Sequence, residues 1–238
     1  MLIQRLSLRE GAHAAQGVAV IIDVFRAFTC EPLMYHYGAQ QILLEADPET
    51  CLAMAGTAVL VGERDEMPIP GFHLTNSPFL IMHSGRDFFG QRRVIHRTTS
   101  GVTGALAALE TADEVLLASF VNASATAKYI LSRRPKLVSL VAMGIRSLEK
   151  APEDEYCGDY IESLLTAKAY DHIRAMHHIL AHETAQKFLR GDKTYLPRED
   201  PAICLQRDLF DFALRVQQRG DLVEALRVSP GPKGVQAV

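Results

Sequence analysis

The sequence predicts an α/β fold, a largely parallel or mixed sheet covered by helices. Short apolar runs of strand length alternate with helical patterns from residue 17 to residue 144. Such alternation is the signature of β-α units. Several of the runs are apolar without interruption, as expected for strands buried on both faces. Helix-end signals also fall where the alternation requires them.

In chain order, "GVAVIID" (17–23) reads as a strand and "RAFTCEPLMYHYG" (26–38) as a helix ending near Gly38. "QQILLEA" (40–46) is the next strand. "DPETCLAMAG" (47–56) is a short helix with Asp47 as N-cap and Pro48 at its first position. "TAVLVGE", "RRVIH", "EVLLASF" and "KLVSLVAMG" continue the strands, with "TGALAALE" and "NASATAKYILSRR" as helices among them. From about residue 153 the chain reads as two long helical segments. The Pro- and Gly-containing end "SPGPKGVQAV" (229–238) reads as a flexible tail.

The length of 238 residues suits a single domain over residues 1–228. "VIIDVFRAFTCEPLMYHYG" and "VLLASFVNASATAKYILSR" share a strand, a polar turn and an Ala-containing helix, and "VLVGERD" and "SLVAMGIR" are also alike. Two similar halves, 1–110 and 111–228, would account for this, as would chance likeness between β-α units.

A hydrophobic content of 48% and a charged content of 22% are those of an ordinary globular protein. The net charge of -3 offers no basic field for nucleic acid or an anionic membrane. No apolar run is long enough to span a bilayer, and the N-terminal residues lack the apolar stretch of a signal peptide. The four cysteines, Cys30, Cys51, Cys157 and Cys204, form no CxxC pair and read as reduced thiols of a cytoplasmic protein. The sequence does not fix an oligomeric state and is compatible with a homo-oligomer.

Ligands of open α/β sheets bind at the carboxyl ends of strands. The residues just beyond the strands here are polar: Asp23 and Arg26, then Glu63 and Arg64, then "RTTSG" (97–101), then Asn122, then a stretch leading to Glu153 and Asp154. "RTTSG" sets hydroxyls and orphan N–H groups at a helix start beside Arg97, an arrangement suited to an oxyanion. Taken alone it would be an ordinary helix cap. The chain has neither GxxxxGK[ST] nor GxGxxG. Asp23, Glu63, Glu153 and Asp154 are hard oxygen donors of the kind magnesium takes together with water and phosphate. Each also has a bland reading, as a cap, a first-turn charge or a surface ion pair. His178 and His182 are four residues apart, as if sharing a helix face, but no third ligand stands near.

The segments "VIIDVFRAFT", "LVGERDEMPIPGFHLTNSP", "HRTTSGVTGAL", "ASFVNASATA" and "EDEYCGDYI" resemble, in order and spacing, the signatures of the 2-phosphosulfolactate phosphatase family. The resemblance covers about residues 15–165. It implies a three-layer α/β/α fold and a magnesium-dependent phosphatase acting on a small phosphorylated acid. Asp23 and Arg26 match the family's DVxRA-type segment, Glu63 its GER, Asn76 and Ser77 its NSP. Thr98, Thr99 and Gly101 match its TTNGT-type loop, Asn122 its SFxNA segment, and Glu153 and Asp154 its paired acids. Departures stand at His73, Thr75, Ser100 and Val102, and they leave the substrate open.

On this reading Asp23, Arg26 and Glu63 carry the chemistry. Asp23, Glu63, Glu153 and Asp154 hold Mg2+. Asn76, Ser77, Arg97, Thr98, Thr99, Ser100, Gly101 and Asn122 cradle the substrate. Phe25 stands where a DxD motif would put its second acid, which argues against haloacid-dehalogenase-type chemistry. Two alternatives remain at this level: a non-catalytic binding protein for a small anionic metabolite, and a phosphatase or phosphotransferase for another phosphorylated acid.

Overall fold

In the computed structural model residues 1–229 are described. The tail expected over 229–238 lies, apart from Ser229, outside them. Ten strands form one mixed sheet: β1 (Leu2–Ser7), β2 (Val18–Ile22), β3 (Gln41–Leu44), β4 (Val59–Arg64), β5 (Met67–Pro68), β6 (Arg93–Arg97), β7 (Glu114–Ala118), β8 (Leu137–Ala142), β9 (Ala213–Arg219) and β10 (Leu222–Val228). Their order is β1-β8-β2-β7-β9-β10-β3-β6-β4-β5. Neighbours within β1-β8-β2-β7 are parallel, as are those within β3-β6-β4. The antiparallel hairpin β9–β10 joins the two blocks.

The period of two along each strand divides the core. In β2, Ala19 and Ile21 face one side, and Val18, Val20 and Ile22 the other. All five are buried, so the strand reads as an unbroken apolar run. One face is covered by α1 (Leu8–Ala14), α2 (Ala27–His36), α4 (Pro78–Phe89) and α5 (Gly101–Ala108). On the other lie α6 (Ala123–Arg133), α7 (Pro152–Thr166), α8 (His172–Ala181) and α10 (Asp200–Cys204). A smaller cluster seats α3 (Pro48–Met54) on the far block through Cys51, Leu43, Leu60 and Ile95. Helices on both faces of one sheet give the three layers the sequence predicts. Asp47 caps α3 by accepting from the Thr50 N–H at 2.8 Å.

Two expectations change. The two long helices expected beyond residue 153 are α7, α8, a further helix α9 (Glu183–Leu189) and α10, followed by the β9–β10 hairpin. Ala167, left-handed at φ 54, ends α7, and His182 separates α8 from α9 by accepting from the Thr184 N–H. His178 and His182 therefore do not share a helix. β1 and α1, at the N-terminus, had no expected structure.

Three antiparallel pairings separate the blocks, yet residues after β2 and β8 and after β4 and β6 line one cavity. Among the described residues no helix is long and apolar enough to cross a membrane.

Candidate active site

The carboxyl ends of β2, β4, β6 and β8 open into one cavity, and the start of α7 and one face of α9 close it. Asp23 follows β2 directly and is 5% exposed. Its Oδ1 accepts from the Ala27 N–H at 3.1 Å, which ties it to the first turn of α2. Asp154, in the first turn of α7, accepts from the Val24 N–H at 2.7 Å and from the Gly144 N–H at 2.8 Å. It thus braces the ends of β2 and β8 against each other. Glu153 accepts from the Thr184 hydroxyl at 2.8 Å.

Burial pushes all three of these carboxyls up. Asp23 is raised from 3.8 to about 7, by burial first and then by the nearby charges of Glu63 and Glu153. Glu153 is raised from 4.5 to about 7, chiefly by burial. Asp154 is also well raised, by burial and then by Asp23 and Glu153. Three buried acids share one cavity; Lys187 acts against the charge of Glu153 and His96 against that of Asp23, but burial outweighs both.

The turn between β6 and α5 is held from β4. Glu63 accepts from the Thr99 N–H at 2.6 Å and from its hydroxyl at 3.0 Å, and also from the Glu66 N–H at 2.5 Å. Arg97 donates to the carbonyl oxygens of Glu63 and Ala46 and to the Thr99 hydroxyl. The Thr98 hydroxyl accepts from the Val102 N–H at 2.9 Å. Among the described residues this leaves the N–H groups of Ser100 and Gly101 without partners at the start of α5. Gly101 is required by closeness: a Cβ there would stand 2.9 Å from Asp23 Oδ2 and 2.8 Å from the Ala27 Cβ.

Arg26 lines the same cavity but is not free. Its Nη1 donates to Asp200 at 2.8 Å and to the Tyr195 carbonyl at 3.0 Å, and its guanidinium stands 5.3 Å from the centre of the Phe188 ring. Asp200 also accepts from the Ser77 hydroxyl and the Phe79 N–H. Nε and Nη2 of Arg26 have no protein partner among the described residues. Asn76 is set by a buried relay, in which its Oδ1 pairs with His96 Nε2 at 2.9 Å and His96 Nδ1 with Glu31 at 2.8 Å. The Asn76 amide nitrogen is left toward the cavity.

The structure therefore gathers Asp23, Arg26, Glu63, Asn76, Thr99, Ser100, Glu153 and Asp154. Five expected residues stand behind that lining. Arg97 and Thr98 support the turn, Gly101 gives it room, and Ser77 anchors Asp200. Asn122 is remote: it accepts from the Ser119 N–H at 3.0 Å and donates to the Leu117 carbonyl at 3.1 Å, capping the 3-10 turn Phe120–Asn122. Asn122 is fully buried and does not line the cavity. Of the departures from the family pattern, His73 accepts from the Leu60 N–H, Thr75 and Val102 are buried and do not line the cavity, and only Ser100 reaches it. His178 bonds Tyr156, well apart from this lining. Sequence reasoning missed Glu66, which lies within a recognisable segment beside the more conspicuous Glu63, and Arg146, Lys187 and the positioning residue Asp200, which lie outside the recognisable segments.

Among the described residues no three acids, histidines or cysteines form a complete metal cage. The donor set nevertheless fits a magnesium ion, which takes one or two carboxylates and fills its shell with water and phosphate oxygen. Among Asp23, Glu63, Glu153 and Asp154, Asp23 Oδ2 and Glu153 Oε1 are the oxygens to which no other residue donates a hydrogen bond. The mutual repulsion that raises these acids is what a divalent cation would relieve.

A family model described as 2-phosphosulpholactate phosphatase matches residues 5–219. The chain belongs to this family. Its members are phosphomonoester hydrolases. The chain is 29% identical over 232 residues to a probable 2-phosphosulfolactate phosphatase of Bacillus subtilis, covering 94% of this chain and 98% of that one. It is 40% identical over 143 residues to a probable 2-phosphosulfolactate phosphatase of Deinococcus radiodurans, covering 59% and 58%. The family match extends past β8 into β9, so the C-terminal helices that supply Lys187 and Asp200 belong to the shared fold.

Proposed function

We propose that this protein is a magnesium-dependent phosphatase for a small phosphorylated organic acid, 2-phosphosulfolactate or a close relative. The observation that carries the reading is that free carboxylate oxygens and oxyanion donors meet in one cavity. Asp23 and Glu153 present unpaired, mutually repelling carboxylate oxygens. Beside them stand the Ser100 N–H, the Gly101 N–H just behind the lining, the amide of Asn76 and the remaining donors of Arg26, a set suited to an oxyanion. A phosphoryl group with its cation satisfies both sets at once.

Asp23 and Glu153 would hold the magnesium, with Asp154 and Glu63 reaching it through water. The ion supplies positive charge against the phosphoryl oxygens and activates water. Glu63 and Arg97 fix the Thr99 turn so that its donors need no rearrangement as charge develops. Asp200 aims Arg26, and the Glu31–His96 relay aims Asn76. Phe25 in place of a second acid disfavours haloacid-dehalogenase-type chemistry, and a metal-activated water would be the simplest nucleophile.

The test is release of phosphate from 4-nitrophenyl phosphate and from phosphorylated hydroxy acids, with magnesium and with EDTA. Hydrolysis is expected with magnesium and not with EDTA. Turnover that ignores EDTA would remove the metal from the reading. Phosphate binding without hydrolysis of any ester would mark a non-catalytic binder.

A further inference from the structure

Two cations at the cavity mouth are not needed to hold the phosphoryl group, although the charge of Lys187 also acts on Glu153. Lys187 comes from α9 and Arg146 from the loop after β8, and both line the cavity. Lys187 Nζ pairs with Glu66 and stands 5.4 Å from the centre of the Phe188 ring. Arg146 Nε lies 3.8 Å from Asp65 Oδ1, and those side chains are 52% and 54% exposed. Among the described residues the only other cation of the lining, Arg26, is committed to Asp200.

An exposed pair as long as Arg146–Asp65 contributes little, so Arg146 can exchange its partner at small cost. Lys187 is more enclosed, and its partner Glu66 is tied to the phosphoryl site because the Glu66 N–H donates to Glu63. A simple phosphomonoester would leave both cations unused. A substrate with a second acid on its alcohol would meet a cavity full of carboxylates, and these two cations are the groups able to offset that repulsion.

We propose that Lys187 and Arg146 clamp a second anionic group, a carboxylate or sulfonate, on the organic part of the substrate, and so select phosphorylated acids over simple phosphomonoesters. This rests on the phosphatase reading and adds to it the residues that choose the substrate class. It also moves specificity away from His73 and Val102 to the mouth.

Non-hydrolysable ligands separate the clamp from the chemistry. Calorimetry with magnesium compares phosphonoacetate and phosphonomethanesulfonate, which carry a second acid, with ethylphosphonate, which does not. The wild type is expected to prefer the acids. Lys187→Met and Arg146→Met should each cut that preference, by roughly tenfold to a hundredfold for Lys187, as for a lost hydrogen bond to a charged group. Lys187→Arg should keep most of it. Glu66→Gln should raise it, because Lys187 loses its internal competitor. A loss in either acid arm supports the clamp. A wild type without preference, or a preference that survives both Met variants, overturns it. Arg146 is exposed, so if Lys187→Met fails to fold, a preference unchanged in Arg146→Met together with one unchanged in Glu66→Gln overturns the clamp. Preference in binding without hydrolysis of any phosphomonoester would overturn the phosphatase reading and leave the clamp standing.

Discussion

Asp23 and Asp154 are buried carboxylates of one cavity with different tasks. Both oxygens of Asp154 accept backbone N–H bonds, from Val24 and from Gly144. An amide can accept with only one of its two ends, so Asp154→Asn leaves one buried donor facing another. That change should cost about 1–3 kcal/mol of stability. Asp23 uses one oxygen on the Ala27 N–H and turns the other to the cavity. Asparagine keeps the bond and removes a charge that its neighbours repel. Asp23→Asn should therefore hold or raise the urea midpoint at pH 8 while kcat falls about a hundredfold or more. Urea titration beside kcat separates the two, and a destabilised Asp23→Asn would show that its carboxylate is structural. The acids were legible in the sequence because each follows a strand or opens a helix. Arg26 was legible as a cavity residue but not as a paired one. Its partner Asp200 lies 174 positions away, and no local pattern announces a contact at that separation.

At the scale of elements, the site depends on how closely β4, β6 and α5 approach. A Cβ on Gly62 would overlap the Arg97 carbonyl, so Gly62→Ala must push β4 from β6 and carry Glu63 away from the Thr99 turn. Gly101→Ala forces the start of α5 off Asp23, Ala27 and Phe28. Displacement of a reacting geometry by about 1 Å can cost roughly a hundredfold in rate. Gly101→Ala should accordingly lower kcat/KM by about that factor and weaken inhibition by phosphate, with far-ultraviolet circular dichroism unchanged. An unaltered phosphate inhibition constant would place the oxyanion away from α5. Strands β2, β3, β4, β6, β7 and β8 were legible because burial on both faces leaves continuous apolar runs. The β9–β10 hairpin was not. Its strands "ALRVQQR" and "LVEALRV" are partly exposed, so polar residues break the apolar run, and the Gly220–Asp221 turn lies in a stretch that also reads as helix. Helices beyond residue 153 were legible as helix but not in their breaks. Left-handed Ala167 and the capping His182 are not residue types that mark a helix end in advance.

For the whole molecule, the gathering of strand ends from two blocks stores acids together, and this links stability to pH. Asp23 and Glu153 stand at about 7 in the folded chain against 3.8 and 4.5 in the unfolded one, and Asp154 shifts the same way. Between those limits the folded chain binds more protons than the unfolded chain, so stability falls as pH rises. The contribution of these groups is complete below pH 4 and is lost as pH climbs through about 7. Under the proposed function magnesium would bind only the ionised carboxylates, and a ligand of the folded state stabilises it by mass action. Its effect must therefore oppose the proton's. At pH 8 about 10 mM magnesium chloride should raise Tm clearly over an EDTA control, and at pH 5.5 the increment should shrink, because protons hold the same oxygens. Without metal, Tm should be higher at pH 5.5 than at pH 8 as far as these acids govern it. Asp23→Asn should flatten the pH dependence and reduce the magnesium increment together, since one oxygen serves both. Equal magnesium increments at the two pH values would show that the ion binds elsewhere than among these carboxylates. An increment kept in full by Asp23→Asn would remove Asp23 from the metal site while leaving the phosphate-binding turn of α5 untouched.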